Sequence, residues 1–192
     1  VIRGTGVAGS VQDEIFFLSR LSLVVGGARS GKSALAERLA TGSARPPRYI
    51  ATAEAWDDEM RARIARHRAD RGDAWETVEA PLDLAPVLAG AGAEQVVLVD
   101  CATLWLTNHL LADHDLDAET DALLAALRAC PAPVIVVSNE VGWGIVPDNA
   151  LARRFRDAQG RLNQRLAVQA DLVVGVMAGL PMVLKGQLPP WM

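Results

Sequence analysis

The sequence predicts an α/β fold, a mostly parallel sheet with helices on both faces. Short β-rich apolar runs alternate with longer segments of helical period along most of the chain, which is the pattern of strand, crossover helix and next parallel strand. The runs Val96-Val97-Leu98-Val99 and Val134-Ile135-Val136-Val137 are apolar at every position, as central strands covered above and below must be. At 192 residues the chain fits one domain and is long enough to bury about 70% of its unfolded surface.

In order along the chain, residues 1–20 carry Gly4, Gly6 and Gly9 and show no sustained period, so they read as an N-terminal extension outside the core. The domain proper runs from 21 to 186. Strands are expected at Leu21 to Val25, Tyr49 to Thr52, Val96 to Val99, Val134 to Ser138 and Leu172 to Met177. Helices are expected at Lys32 to Ala40, Asp57 to Arg68, Ala118 to Arg128 and Ala150 to Ala170, with Ala80 to Gly92 a short helix and loop. In the last long helix Leu151, Phe155, Ala158, Leu162 and Leu166 form one stripe, while Arg153, Arg154, Arg156, Arg161 and Arg165 occupy the remaining surface. That basic face reads either as a solvated surface with i,i+4 partners or as a phosphate contact, and the first is the commoner use. Residues 187–192 contain Pro189 and Pro190 and read as a short irregular tail.

Composition narrows the function classes. Hydrophobic residues make up 51% and charged residues 22%, with a mean hydropathy of +0.17, which fits a globular chain and excludes a disordered one. Lys plus Arg (19) against Asp plus Glu (23) gives a net charge of −4, so no basic surface argues for nucleic acid. No apolar run approaches the roughly 18 residues of a membrane span. Arg3 is the only early positive charge, and Gln12, Asp13 and Glu14 interrupt any signal-like apolar stretch. Cys101 and Cys130 are too few for a disulfide framework and lack zinc-type spacing, so a cytoplasmic protein is expected.

The strongest motif is Gly26-Gly27-Ala28-Arg29-Ser30-Gly31-Lys32-Ser33, directly after the first strand and opening the first helix. It matches G-x-x-x-x-G-K-[ST] in the context that motif requires, so the fold expected is of the P-loop NTPase type, RecA-like. The glycines let the backbone curl its N–H groups toward phosphates, and the following helix presents its positive end. Lys32 is assigned to the β- and γ-phosphates and Ser33 to Mg²⁺. Asp100, closing an apolar run, is placed like the acidic residue that supports the metal, or else is a turn aspartate. The motif fixes a nucleotide and leaves the reaction open.

Further stretches carry a resemblance: Tyr49-Ile50-Ala51-Thr52-Ala53, Asp57-Asp58-Glu59-Met60 with Arg63-Ile64 and His67-Arg68, Val99-Asp100-Cys101 with Thr103 to Asn108, and Val137 through Gly142-Trp143-Gly144-Ile145-Val146-Pro147. With the Gly-rich loop they resemble the bifunctional adenosylcobinamide kinase / adenosylcobinamide-phosphate guanylyltransferase family of cobalamin biosynthesis, over roughly residues 21–186. The resemblance implies two reactions. A triphosphate, ATP or GTP, phosphorylates the aminopropanol hydroxyl of adenosylcobinamide; a histidine then takes GMP from GTP and passes it to the new phosphate, giving adenosylcobinamide-GDP. It also implies a homotrimer, and it places the nucleophile at His67.

Read from the residues alone, His67 shares a helical face with Met60 and Ile64 and would ordinarily be a core histidine. With the resemblance it becomes a nucleophile, since a neutral imidazole can attack phosphorus and form a labile phosphoramidate. His109 and His114 match no such position and read as ordinary surface or helix residues. By alignment with the family, Thr52, Ala53, Arg68, Ala69, Asp70, Arg71 and Glu79 are nucleotide-contacting. A carboxylate at Glu79 can accept from guanine N1–H and its amine, or it is a solvent-facing residue before Pro81. Glu140, just past a strand end, is placed to orient the substrate hydroxyl, and Gly142 and Gly144 permit the turn that follows. The competing readings are a monofunctional P-loop kinase with His67 structural, and a nucleotide-binding switch or motor subunit, which the lack of a basic face disfavours.

Overall fold

The structure is a computed structural model that describes residues 18–54 and 74–192. Its elements are β1 (Leu21–Gly26), α1 (Lys32–Gly42), β2 (Pro47–Ala51), β3 (Glu76–Glu79), α2 (Leu84–Ala89), β4 (Val96–Asp100), α3 (Ala102–Leu111), α4 (Leu116–Ala129), β5 (Val134–Asn139), α5 (Ala150–Gln169), β6 (Leu172–Met177) and β7 (Leu180–Lys185). The seven strands form one sheet in the order β3-β2-β4-β5-β1-β6-β7. All pairings are parallel except β6 with β7.

The alternation of strand side chains sorts the core into two layers. Leu21, Leu23, Val97, Val99, Val134, Val136 and Val173 face one cluster, which α2, α3, α4 and α5 close with Leu88, Trp105, Leu124 and Leu166. Val24, Leu98, Ile135, Val137, Leu172 and Val174 face the other, closed chiefly by Leu35, Ala36, Leu39 and Ala40 of α1. Strands buried on both faces have no polar side to alternate with, hence the unbroken apolar runs.

All five expected strands are present, with the second beginning two residues earlier than expected. Three elements carried no clear periodic signal. β3 is only Glu-Thr-Val-Glu, a polar strand on the outer edge. Helix α3 buries Ala102, Thr103, Trp105, Leu106, Asn108, His109 and Leu110, so it is enclosed nearly all round and shows no stripe. β7 contains Pro181 on the opposite edge, where a missing N–H is tolerated. It is joined to β6 by Ala178 and Gly179, both at positive φ, the backbone that two-residue hairpins favour.

Two expectations need correction. Leu18, assigned to an extension outside the core, is buried in the α1-side cluster; residues 1–17 lie outside the described part. In α5, Leu151 does not continue the buried stripe, being 53% exposed, whereas Leu162 and Leu166 are buried. The first turn of α5 projects past the layer that its later turns cover. Residues 187–192 carry no helix or strand; Leu188 and Met192 pack on the α1-side cluster while Trp191 lies against Gly42, where a Cβ would collide with the indole. The expected helix Asp57 to Arg68 lies outside the described residues. Among those described, no helix is long and apolar enough to cross a membrane.

The contrast within α5 is measurable. Leu166→Ala should cost about 2–5 kcal/mol by loss of burial and cavity formation, whereas Leu151→Ala should change stability by less than about 0.5 kcal/mol. Urea denaturation of both variants checks this, and equal losses would contradict the packing.

Candidate functional site: the carboxyl edge of the sheet

Because β1 to β6 run parallel, their C-terminal ends open on one edge, where ligands of such sheets bind. The Gly26 to Ser33 loop leaves β1 there. Gly26 has no room for a side chain, since a Cβ would sit 2.5 Å from Val176 O and 2.6 Å from Ser30 Oγ. Gly31 has φ 95° and Arg29 φ 55°, so the loop turns through left-handed backbone before entering α1. Ser30 N–H donates to Gly27 O at 3.2 Å, and Gly179 N–H of the β6–β7 turn donates to Ser30 O at 2.8 Å. Gly31 caps α1 with no side-chain hydrogen bond, which leaves the helix N-terminus suited to an anion. Lys32 Nζ donates to Gly27 O at 3.2 Å, and Ser30 Oγ is buried without a protein hydrogen-bond partner among the described residues.

Asp100 ends β4, beside Ala51 of β2 and Val137 of β5. One strand, β5, therefore separates it from the loop-bearing strand. Ser33 in the first turn of α1 and Asp100 are both half-buried oxygen donors, a donor set that suits Mg²⁺. The adjoining Cys101 thiol is pushed up to about 11, first by burial and then by the Asp100 charge, with Lys32 among the weaker opposing influences. Burial likewise raises the pKa of the Cys130 thiol. Both cysteines are unpaired and buried, so they are protonated and take no nucleophilic part.

Thr52 is fully buried. Its hydroxyl donates to Cys101 O at 2.7 Å and accepts from Cys101 N–H at 2.7 Å, while its own N–H goes to Asp100 O at 3.2 Å and its carbonyl accepts from Asn108 Nδ2 at 2.9 Å. In this arrangement it stitches β2 to β4 and holds the half-buried Ala53 at the edge. Glu79 ends β3 and is exposed, level with Ala51 and hence with Asp100. Four strand steps separate it from β1, roughly 19 Å across a sheet with strands about 4.8 Å apart. Glu140 is tied in by its backbone, its N–H donating to Gly26 O at 3.0 Å and its Oε1 accepting from Gly142 N–H at 2.6 Å. His67, Arg68, Ala69, Asp70 and Arg71 lie outside the described residues.

Sequence reasoning missed two supports. Helix α3 crosses behind the edge, where Asn108 Nδ2 also donates to Pro81 O at 2.9 Å and Trp105 Nε1 to Leu82 O at 2.9 Å, fixing the chain that leaves Glu79. At the end of β5, Ser138, Gln159 and Asn163 form a hydrogen-bonded cluster, Thr103 Oγ1 accepts from Asn139 N–H at 2.7 Å, and Asn139 Oδ1 is buried without a protein partner among the described residues. Polar residues inside apolar elements were the available signal. The arginines of α5 resolve toward the solvated reading: Arg154 pairs with Asp113, Arg156 with Asp157 and Arg165 with Asp121, while Arg153 donates to the carbonyls of Pro147 and Asp148. His109, read as an ordinary surface or helix residue, is a buried helix residue whose pKa is lowered by burial, against the pull of Glu119.

Comparison with known proteins decides the family. The model of the cobinamide kinase / cobinamide phosphate guanyltransferase family matches residues 22–184. The chain belongs to that family. It is 53% identical over 168 residues to the bifunctional adenosylcobalamin biosynthesis protein CobP of Pseudomonas aeruginosa, covering 86% of this chain and 97% of that one. It is 45% identical over 179 residues to the bifunctional adenosylcobalamin biosynthesis protein CobU of Escherichia coli, covering 85% and 98%. Similarity to solved structures is confined to the fold. The flagellar accessory protein FlaH of Methanocaldococcus jannaschii superposes with a TM-score of 0.50 at 13% identity, over 89% of this chain and 80% of that one. A Pyrococcus horikoshii protein, PH0250, gives 0.55 at 9% identity, over 90% and 89%. Within this kinase/guanyltransferase family chain, the P-loop, Asp100 and Glu79 thus share one edge, with the phosphate loop and Glu79 toward opposite ends.

Proposed function

We propose that this chain phosphorylates the aminopropanol hydroxyl of adenosylcobinamide and then transfers GMP from GTP, through His67, to form adenosylcobinamide-GDP. The observation that carries the reading is the uncapped start of α1 behind a glycine-turned loop bearing Lys32, within a family match spanning 22–184. In the first step the substrate hydroxyl attacks the γ-phosphorus and the nucleoside diphosphate leaves. The loop N–H groups and Lys32 hold the phosphates in place and offset their charge, which is most of what phosphoryl transfer asks of a protein. Ser33 and Asp100 would hold Mg²⁺, which would supply positive charge against the triphosphate. Glu140, held beside Gly26 by its backbone, orients the hydroxyl.

In the second step the neutral His67 imidazole attacks the α-phosphorus of GTP and pyrophosphate leaves. A phosphate oxygen of the adenosylcobinamide phosphate then attacks the same phosphorus, and the P–N bond breaks. Thr52 and Ala53 keep the edge between the phosphate loop and Glu79, Arg68 to Arg71 follow the nucleophile, and Glu79 reads guanine. The triphosphate substrates and the two unpaired thiols fit a cytoplasmic enzyme.

The two steps separate by mutation. Lys32→Ala should lower phosphorylation by at least about a hundredfold. His67→Asn should keep phosphorylation, take up no label from α-labelled GTP and make no adenosylcobinamide-GDP. Autoradiography of the protein with chromatography of the corrinoid products measures both, and label retained by His67→Asn would place the covalent site elsewhere.

Base choice rests on Glu79. Glu79→Gln faces guanine's donors with a donor and should reduce the preference for GTP over ATP by about 1–3 kcal/mol. Competition binding reads this directly, and an unchanged preference returns Glu79 to a solvent-facing role.

The same proposal includes a homotrimer. β7 is exposed along its length, with Leu180, Met182, Val183 and Leu184 on an outer edge, and such an edge is normally covered. Light scattering should give a mass three times the 20.5 kDa of the chain; a monomeric mass at micromolar concentration would remove this part.

A further inference from the structure

The C-terminal end of α3, the connection after it and the first turns of α4 bring together two histidines and a carboxylate that the reaction does not use. His109 Nδ1 and His114 Nδ1 lie 2.9 Å apart, and Glu119 places Oε2 3.8 Å from the first and Oε1 3.9 Å from the second. We propose that His109, His114 and Glu119 form a binding site for a divalent transition-metal ion, Zn²⁺ foremost, which clips α3 to α4.

The donor set and its spacing both support this. Two imidazole nitrogens and one carboxylate oxygen are ligands that Zn²⁺ and its first-row neighbours prefer, whereas Mg²⁺ prefers oxygen alone. Ligands about 2.0–2.1 Å from a tetrahedral zinc stand roughly 3.3 Å from one another; the two imidazole nitrogens at 2.9 Å are slightly closer than that, and one ligand atom from each of the three residues can be chosen with all of them within 4.8 Å of one another. Two imidazole nitrogens aimed at each other must share a proton, and the ion would take the place of that proton.

The arrangement is held from behind. His109 is the buried anchor, its side chain 3% exposed, with its ring 4.5 Å from that of Trp105 and its Nε2 3.4 Å from Leu82 O. A second ring nitrogen on a carbonyl fixes both the orientation and the tautomer of a metal-ligating histidine, leaving Nδ1 as the ligand. His114 is set by its own backbone, its N–H donating to His109 O at 3.0 Å just after Asp113 at φ 55°. Glu119 is set by Asp115, which caps α4 by accepting from Asp117 N–H at 3.1 Å and Ala118 N–H at 3.2 Å. The side chains of His114 and Glu119 are 41% and 38% exposed, which gives an entry path and room for a water as fourth ligand. Since α3 also holds Thr52, Pro81 and Leu82, the clip would brace the Glu79 end of the active edge from outside it.

The test uses the chelator-treated full chain, titrated with Co²⁺ and then Zn²⁺ in excess Mg²⁺, so that oxygen-only sites stay with Mg²⁺. One equivalent of Co²⁺ should bind with a visible absorption band that Zn²⁺ displaces, and Zn²⁺ should raise the melting temperature. His114→Ala and Glu119→Gln, both at half-exposed positions, should fold with an unchanged far-ultraviolet spectrum and bind at least about tenfold more weakly. His67→Asn, which removes the only other histidine of the chain, should keep the equivalent. Absence of a one-equivalent visible band, binding that survives both His114→Ala and Glu119→Gln, or binding lost in His67→Asn would each overturn the proposal.

Discussion

Everything at the active edge depends on how β1 ends. It lies between β5 and β6 and is buried on both faces, so its backbone is spent on its neighbours until Gly26, which pairs with Asn139 on one side and Val176 on the other. Beyond that point no strand continues alongside, and the N–H groups of the turn into α1 have few internal acceptors. A chain leaving a buried parallel strand for a helix must either cap those donors or offer them to a ligand. Here glycine takes the cap position and Val176 O lies too near Gly26 for any side chain. The same tightness that excludes a side chain leaves the backbone bare, as an anion site at a helix start requires.

The rest of the edge is kept in place by polar residues that never reach it. Thr52 spends its hydroxyl on both sides of Cys101, Asn108 divides its amide between Thr52 and Pro81, and Trp105 turns its indole N–H to Leu82. Each bond closes a buried or part-buried backbone group that would otherwise be costly to leave alone. Together they lock the exits of β2, β3 and β4 relative to one another. Catalytic geometry of this kind needs supports more rigid than the loops themselves, and α3 supplies them as a buried helix rather than a surface one.

The central strands, the phosphate loop and α1 were legible because each has a local cause: double-sided burial gives Val96 to Val99 and Val134 to Val137 their unbroken apolar runs, and the loop's turns demand glycine. Less local features were not legible. α3 lacks a stripe because Ala102, Thr103 and Leu106 are buried as well as the face of Trp105, Asn108 and His109, and β3 is three polar residues around Val78, with its pairing to β2 as its main strand signal. The family resemblance singles out Thr52 but not the part its hydroxyl plays between strands, because its partner Cys101 is 49 positions away. The stripe of α5 overran at Leu151 because periodicity does not say where a helix outruns the layer beneath it.

The turn between β6 and β7 has a mechanical consequence. Gly179 N–H holds Ser30 O, and a Cβ on Gly31 would come within 3.2 Å of Gly179 Cα, so the hairpin turn is fastened to the phosphate loop by one hydrogen bond and lies close against it at the next residue. Strand β7, the hairpin's outer arm, is the sheet's open margin. Whatever fixes that margin also limits the freedom of the Gly26 to Ser33 backbone, and by reciprocity a ligand that fixed the loop would limit the margin in return. A neighbour docked along β7 and a nucleotide in the loop would therefore each sense the other across a single hydrogen bond, with no hinge and no moving domain between them.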